Sequence, residues 1–194
     1  MGSRHTPDFA ELIVRVSNAL RSEDLPFMLI GGQAVLLHGQ PRLTEDIDIT
    51  LGVSPEALPT VLKACQVAQL EILPEDPASF VGETYVLPAV DQASAIRLDL
   101  IFSDLPYERQ AIERAVMVDL SDVPIPFASA EDLILHKLFS GRPRDIEDVR
   151  GVIRLRGRAL DWEYLEQWAE EFSTLPGREH LLDQVRKIKS EAGL

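Results

Sequence analysis

The segment Asp46–Leu51, with the sequence DIDITL, constrains the fold more than any other part of the chain. Aspartates alternate with isoleucines, and such alternation is typical of a β-strand that has one face in the core. Side chains alternate across a strand, so Asp46 and Asp48 are expected on one face, roughly 6.5–7 Å apart along it. Ile47 and Ile49 then point into the core. The segment predicts a strand that presents two carboxylates together.

Apolar periodicity and turn residues predict the elements on either side of this strand. Before residue 128, helices are expected at 6–24, 33–38, 54–69 and 107–116. Strands are expected at 27–30, 46–51, 84–90, 95–102 and 123–127. From residue 129 the pattern is helical, with helices at 129–139, 145–155, 160–172 and 178–190 and with Ser129 as the first N-cap.

These elements predict an α+β fold in two parts. Residues 1–128 form a mixed-sheet domain, and residues 129–194 form a helical part. The Gly-Arg-Pro break at residues 141–143 is too short for a flexible linker, so the helical part is expected to pack against the sheet domain.

Composition narrows the possible environments and partners. The net charge of −13 argues against nonspecific coating by nucleic acid, although a local basic patch can still bind RNA or an NTP. The single cysteine, Cys65, cannot form an internal disulfide and suits a reducing compartment. Neither a transmembrane run nor a secretory signal is recognisable, so we expect a cytoplasmic protein without a membrane partner.

A third carboxylate, Asp99, lies in a second predicted strand and points away from Leu98 and Leu100. If that strand pairs beside the Asp46 strand, three carboxylates converge, and without a cation they would repel one another. Two Mg²⁺ ions would remove the conflict and favour in-line displacement at phosphorus. The alternative is that Asp46, Asp48 and Asp99 belong to ordinary solvated strand faces.

Gly31 and Gly32 follow the first predicted strand and precede a short helix. Glycine permits close approach of the backbone to a phosphate, and a helix N-terminus attracts anions. A Gly-Gly pair can also be only a tight turn. The ordered combination of strand, Gly-Gly, helix, basic residue, Asp-x-Asp strand and later strand aspartate favours a phosphate and metal site.

This combination resembles the nucleotidyltransferase superfamily that includes DNA polymerase beta. The similarity rests on Gly31-Gly32-Gln-Ala, Arg42-x-Thr44-x-Asp46-Ile-Asp48 and Leu-Asp99-Leu. Within the superfamily, the chain is most similar to AbiEii-type proteins of toxin–antitoxin systems and to related minimal nucleotidyltransferases.

The resemblance assigns roles to these residues. It implies that Asp46, Asp48 and Asp99 are catalytic metal ligands, with Mg²⁺ as cofactor and an NTP as donor. Gly31 and Gly32 form the phosphate-side turn, and Arg42 and Thr44 belong to the nucleotide site by the same motif. The sequence has no clear Lys-x-x-x-Lys repeat after the Asp-x-Asp strand, and Gly32 replaces the serine of many relatives.

The helical part contributes further candidates. Lys137 is either a snorkelling lysine packed on the core or a phosphate contact. The resemblance implies that a lysine of this kind and the stretch after Arg142 close the nucleotide site. Asp145 is either a helix N-terminal carboxylate, which we favour, or an active-site group. Six arginines between residues 142 and 158 form either a solvated helix face paired with Glu147 and Asp148 or an RNA or triphosphate patch.

The leading hypothesis is a magnesium-dependent nucleotidyltransferase. The resemblance implies an RNA end or a protein hydroxyl as acceptor, and it raises a role as the toxin of a toxin–antitoxin pair with an antitoxin partner. The alternative is a non-catalytic nucleotide-binding or protein-interaction module on the same fold.

Overall fold

The computed structural model describes residues 9–193, and within them it has the expected α+β fold. The helices are α1 (Phe9–Ser22), α2 (Gly31–His38), α3 (Leu58–Val67), α4 (Pro77–Thr84), α5 (Pro106–Glu113), α6 (Ala130–Ser140), α7 (Pro143–Arg156), α8 (Trp162–Phe172) and α9 (Leu181–Glu191). The strands are β1 (Phe27–Leu29), β2 (Asp46–Leu51), β3 (Leu70–Ile72), β4 (Val86–Asp91), β5 (Arg97–Phe102), β6 (Val116–Leu120) and β7 (Val123–Phe127). The predicted helix start at Thr6 and Pro7 lies outside the described residues.

The strands form one mixed sheet in the order β3-β4-β5-β2-β1-β7-β6. Strand β2 pairs in parallel with β5 and antiparallel with β1, and β1 pairs in parallel with β7. The outer pairs, β3–β4, β4–β5 and β6–β7, are antiparallel. The Asp-x-Asp strand is therefore central, with a neighbour on each side that fixes its position.

One face of β2 and β5 forms the core of the sheet. Ile47, Ile49, Leu98 and Leu100 are all fully buried. Val16 and Leu20 of α1 and Cys65 of α3 line a small internal cavity together with Leu100. Burial raises the pKa of the Cys65 thiol to about 12, which suits a core residue and not a nucleophile.

Four elements differ from the sequence-based expectation. Strand β3, helix α4 and strand β6 were not predicted, and the predicted helix at 107–116 ends earlier, at Glu113. Strand β6 lies at the edge of the sheet and has mostly exposed side chains, so it lacks the alternation that reveals a half-buried strand. Its hairpin turn is marked only by Ser121 and Asp122, which both have positive φ.

The chain divides into two compact units. Unit 1 runs to Gly32 and resumes with Thr44–Phe127, and unit 2 contains Gln33–Leu43 and the residues from Ala128 onward. The two-part division at residue 128 stays a prediction, and in the structure segment 33–43 clusters with the helical unit. The reason is local packing: the His38 ring nitrogen Nε2 lies 2.8 Å from the Ala128 carbonyl, and Gly151 lies against Gln40.

Unit 2 starts with a capped helix. Ser129 accepts a hydrogen bond from the backbone N–H of Asp132, which confirms the predicted N-cap of α6. The Asp132 carboxylate also accepts a hydrogen bond from the Tyr164 hydroxyl at 2.7 Å, which ties α6 to α8. Among the described residues, no helix combines the length and the apolar character needed to cross a membrane.

Candidate active site

The three candidate aspartates lie on one face of the central strands in unit 1. Strand β5 runs directly beside β2, and the parallel register places Asp48 opposite Asp99 and Asp46 opposite Arg97. Paired residues on adjacent strands point to the same face, and the alternate positions on both strands are buried in the core. Asp46 is exposed and the other two aspartates are half-buried, so the face remains accessible. This arrangement meets the condition under which the sequence predicts convergence.

The two glycines are required by this face. Gly31 has φ of +60°, and a Cβ built on it would lie 1.8 Å from Oδ2 of Asp48. A Cβ on Gly32 would lie 2.2 Å from the Thr44 hydroxyl oxygen. The glycines begin helix α2 and do not form a separate turn before it. They let the start of α2 approach the carboxylate strand to a distance that a larger residue would prevent.

Thr44 orients the first aspartate. Its hydroxyl donates to Oδ1 of Asp46 at 3.2 Å and lies 3.3 Å from the backbone carbonyl oxygen of the same residue. A second contact fixes the other aspartate, because the Ile30 N–H donates to the Asp48 carbonyl at 3.0 Å. Thr44 thus holds the side chain of Asp46, and Ile30 holds the backbone at Asp48.

The charges on this face perturb Asp99. Burial raises the pKa of the Asp99 carboxyl, nearby Arg97 lowers it, and the negative charge of Asp46 raises it, with a net increase. Ionised Asp99 therefore lowers folding stability once the pH exceeds the pKa of about 4 that the unfolded chain has. Arg97 was not predicted as a site residue. The sequence signal that could have identified it is its position two residues before Asp99, on the same face of the predicted strand.

The metal site itself stays a prediction. Among residues 9–193, no three or more His, Cys, Asp or Glu side chains are arranged as a metal-binding group. The structure brings Asp46, Asp48 and Asp99 to one face, and the expected separations of roughly 4–7 Å between their carboxyl groups stay a prediction.

The other candidate residues form an ion-pair network in unit 2, which consists of Arg42, Lys137, Asp145 and Asp148. The Arg42 guanidinium donates to both carboxylate oxygens of Asp148, at 2.9 and 3.1 Å. The Lys137 ammonium lies 2.7 Å from Asp145 and 2.9 Å from Asp148. Two cations and two carboxylates thus balance each other in this network. The side chains of Lys137, Asp145 and Asp148 are buried.

This network changes the interpretation of Lys137. If Lys137 were a snorkelling lysine, the first of the two alternatives, its ammonium would lie in water. Lys137 is instead only 9% exposed, and its ammonium is held by carboxylates. Asp145 lies in the first turn of α7, as the structural interpretation expected, and it is also the partner of Lys137. Contacts from Arg42 and Lys137 to nucleotide phosphates stay a prediction.

Asp148 was missed as a site residue. Burial raises its pKa, but the hydrogen bonds from Arg42 and Lys137 outweigh this effect and leave the pKa below its usual value. The signal in the sequence is the i, i+3 spacing of Asp145 and Asp148, which places two carboxylates on one helix face. Arg42 and Arg144 also both donate to the Leu43 carbonyl at 3.1 Å, so the network holds the segment that precedes Thr44.

A mixed sheet with an Asp-x-Asp strand beside a Gly-Gly helix start is the arrangement of a nucleotidyltransferase. The sequence matches, over residues 9–187, the family described as nucleotidyltransferase of unknown function (DUF6036), and the chain belongs to that family. This match confirms the predicted nucleotidyltransferase class, while the closer similarity to AbiEii-type proteins stays a prediction. No curated protein matches the sequence.

Solved structures share this fold at low sequence identity. The antibiotic-resistance factor ANT(2'')-Ia has a TM-score of 0.58 at 16% identity, over 88% of this chain and 96% of that one. A nucleotidyltransferase-like protein from Paracoccidioides brasiliensis has a TM-score of 0.53 at 19% identity, over 90% and 93%. The lincosamide antibiotic adenylyltransferase LnuA, solved with lincomycin, has a TM-score of 0.51 at 18% identity, over 73% and 94%. At such identities the similarity establishes the fold.

Gly31→Ala tests the close approach at the carboxylate face. The new methyl group would meet Asp48 at an impossible distance in a backbone conformation that alanine avoids, so we expect a loss of more than about 1 kcal/mol in unfolding free energy. Gly82→Ala is the control, because Gly82 lies within α4 with open space around it. That variant should be neutral or stabilised by up to about 1 kcal/mol. Equal effects in urea unfolding would contradict the close approach.

Lys137→Met tests the ion-pair network. Removing the ammonium leaves Asp145 and Asp148 buried beside a single cation, so unfolding free energy should fall by about 3–5 kcal/mol at pH 7. Lys187→Met is the control, because its pair with Glu191 is exposed, and it should change stability by less than about 1 kcal/mol.

The pH dependence separates charge from packing in this experiment. Without Lys137 the buried Asp148 carboxylate loses a group that lowers its pKa and takes up a proton more readily, so the deficit should shrink as the pH is lowered towards 4. A deficit in urea unfolding that is small, or that is constant between pH 7 and pH 4, would show that Lys137 acts only through packing.

Proposed function

We propose that the chain is a magnesium-dependent enzyme that transfers a nucleotide from an NTP to an acceptor hydroxyl, with Asp46, Asp48 and Asp99 as the catalytic residues. One observation carries the proposal: Asp48 and Asp99 are register partners on adjacent parallel strands, with Gly31 packed against the first of them. An ordinary solvated strand face has no need of a glycine at this position.

The residues present suit Mg²⁺. Carboxylate oxygens are its preferred protein ligands, and it commonly uses only one or two of them together with water and substrate phosphates. A complete protein cage is therefore not required. Burial raises the pKa of Asp99, Arg97 lowers it and the negative charge of Asp46 raises it, with a net increase, so a cation bound at this face would favour the ionised carboxylate. We propose that the three aspartates hold two ions, which supply charge neutralisation and a Lewis acid at the phosphates.

The chain's own residues position the reactants. The Thr44 hydroxyl orients the Asp46 carboxylate, and the glycines at the start of α2 leave room for phosphate oxygens beside Asp48. Arg97, exposed and opposite Asp46, offers a guanidinium to the triphosphate. Arg42 and Lys137 are further proposed phosphate contacts, and their pairing with Asp148 means that such contacts would involve exchange of partners.

The reaction class follows from these groups. The acceptor oxygen attacks the α-phosphorus, the bond from this phosphorus to the bridging oxygen of the β-phosphate breaks, and pyrophosphate leaves. An ion held by Asp46, Asp48 and Asp99 would lower the pKa of the acceptor hydroxyl, whose proton then passes to solvent water.

For the nucleotide donor and the acceptor we propose only chemical classes. LnuA is an adenylyltransferase by its description, which makes ATP the first donor to test. An RNA end or a protein hydroxyl is the acceptor that the resemblance to AbiEii-type proteins favours. In that case the chain acts as the toxin of a pair, and an antitoxin is its partner.

The competing hypothesis is a non-catalytic module that binds nucleotides or proteins on the same fold. A module without metal chemistry gains nothing from two carboxylates in register and a third nearby, because their repulsion only lowers stability. Transfer activity in the presence of Mg²⁺ separates the two hypotheses.

Asp48→Asn should abolish transfer and leave the fold intact. The substitution removes one charge from a repelling cluster, so the melting temperature without metal should stay the same or rise slightly. Transfer is measured with each of the four α-labelled NTPs and Mg²⁺, on total RNA and on co-expressed protein. Asp119→Asn, on exposed strand β6, is the matched control and should keep full activity.

Two outcomes would contradict this proposal. Wild-type protein that transfers no label from any NTP and shows no Mg²⁺-dependent melting shift with nucleotide would favour the non-catalytic module. An Asp48→Asn variant that retains full transfer would remove this residue from the chemistry.

A further inference from the structure

A groove of about 600 Å³ lies in unit 2, where α7 continues into the short turn Gly157–Ala159 and meets the end of α9. We call it the arginine groove, because its walls include Arg150, Arg154, Arg156 and Arg158. All four side chains are exposed. A concentration of positive charge in a chain with a net charge of −13 calls for a physical explanation.

Internal ion pairs do not provide this explanation. Within residues 9–193, Arg150, Arg154 and Arg158 have neither a hydrogen-bond acceptor nor a carboxylate partner, and Arg156 only donates to the Leu37 carbonyl at 3.3 Å. The sequence left open pairing with Glu147 and Asp148. Asp148 is instead occupied by Arg42 and Lys137, in the network described above.

Helix stability explains only part of this charge, because Arg154 and Arg156 lie in the last turn of α7, where the helix dipole favours cations, whereas Arg150 lies earlier in the helix and Arg158 follows it. Arg150 and Arg154 are separated by one helical turn, about 6 Å along the axis, and like charges at this spacing are destabilising. Arg158 follows after a further four residues in the adjoining turn. The only acidic residue among those that line the groove is Glu191, which lies 4.0 Å from Lys187. The groove therefore presents a row of unneutralised guanidinium groups.

The walls between the arginines are apolar. Leu155 is 60% exposed, and Ile153 and Ile188 also line the groove. Guanidinium groups match phosphate oxygens bidentately, and apolar surface between them suits the sugars and base faces of an unpaired strand. A row of cations one turn apart favours a ligand with several successive phosphates over one with a single phosphate. The carboxylates of an acidic peptide pair with guanidinium groups in the same bidentate way, so the apolar surface between the arginines is what favours a nucleic-acid strand over a peptide.

We propose that the arginine groove binds the sugar-phosphate backbone of single-stranded RNA, without reading its sequence. Binding there gives the acidic chain a local means of holding a polyanion. The further statement that this RNA is the acceptor of nucleotidyl transfer rests on the proposed function, whereas binding itself does not.

The experiment measures binding of a fluorescent 20-nucleotide oligouridylate by anisotropy, without Mg²⁺ or NTP. We compare wild type with the double variant Arg154→Ala/Arg158→Ala. The control is Lys63→Ala/Arg109→Ala, which removes the same charge from exposed side chains of unit 1. The groove variant should bind about tenfold more weakly at low salt, and the slope of log K against log salt should fall by about 1.4, at about 0.7 per lost contact. Glu191→Gln should tighten binding.

Three results would overturn the proposal. RNA binding could weaken equally in the groove and control variants, or poly-glutamate could displace the RNA as readily as unlabelled RNA does. The third is a groove variant that loses affinity for ATP while its affinity for RNA is unchanged. Circular dichroism confirms that each variant is folded. The Asp119→Asn variant, on exposed strand β6, should bind RNA like wild type. If wild type transfers nucleotide but does not bind the oligouridylate, the groove proposal fails and the proposed function stands.

Discussion

The parallel pairing of β2 with β5 is the constraint on which the candidate site depends. It places Asp48 opposite Asp99, and it places Ile47 and Ile49 with Leu98 and Leu100 in the core. A slip of one residue would turn a carboxylate-bearing face into the core and expose the isoleucines, which makes the register strongly specified. Hydrophobic burial on one face thus fixes the carboxylates on the other, although their mutual repulsion opposes this arrangement.

A second constraint operates in unit 2, where charge is neutralised internally. Arg42 and Lys137 are matched by Asp145 and Asp148 over distances of 2.7–3.1 Å. The arginine groove of unit 2 is different, because Arg150, Arg154 and Arg158 have no carboxylate partner within residues 9–193. Charged side chains without an internal partner of opposite charge are candidates for binding a ligand of opposite charge.

Much of the fold and of the candidate site could be predicted from the sequence where a periodic pattern coincides with a buried face. Strand β2 has the predicted bounds, and the aspartates on it and on β5 lie on the predicted face. Strand β6 could not be predicted, because an exposed edge strand has no apolar face to produce alternation. The partners of Lys137 are specified by tertiary packing, so the sequence singled out Lys137 as a candidate but could not identify Asp148 as its partner. Segment 33–43 likewise belongs to unit 2 through contacts with residues more than 80 positions away, such as that between His38 and Ala128.

We propose that the face of β2 and β5 binds a divalent metal together with a nucleotide. Paramagnetic broadening of backbone amide signals by Mn²⁺, used in place of Mg²⁺, tests it directly in a chain of 21.6 kDa. With substoichiometric Mn²⁺ and an NTP, the amides of Asp46, Asp48 and Asp99 should broaden first in the wild type, and this effect should be lost in Asp48→Asn. Broadening that is confined to other acidic surfaces, or that is the same in the variant, would contradict the account.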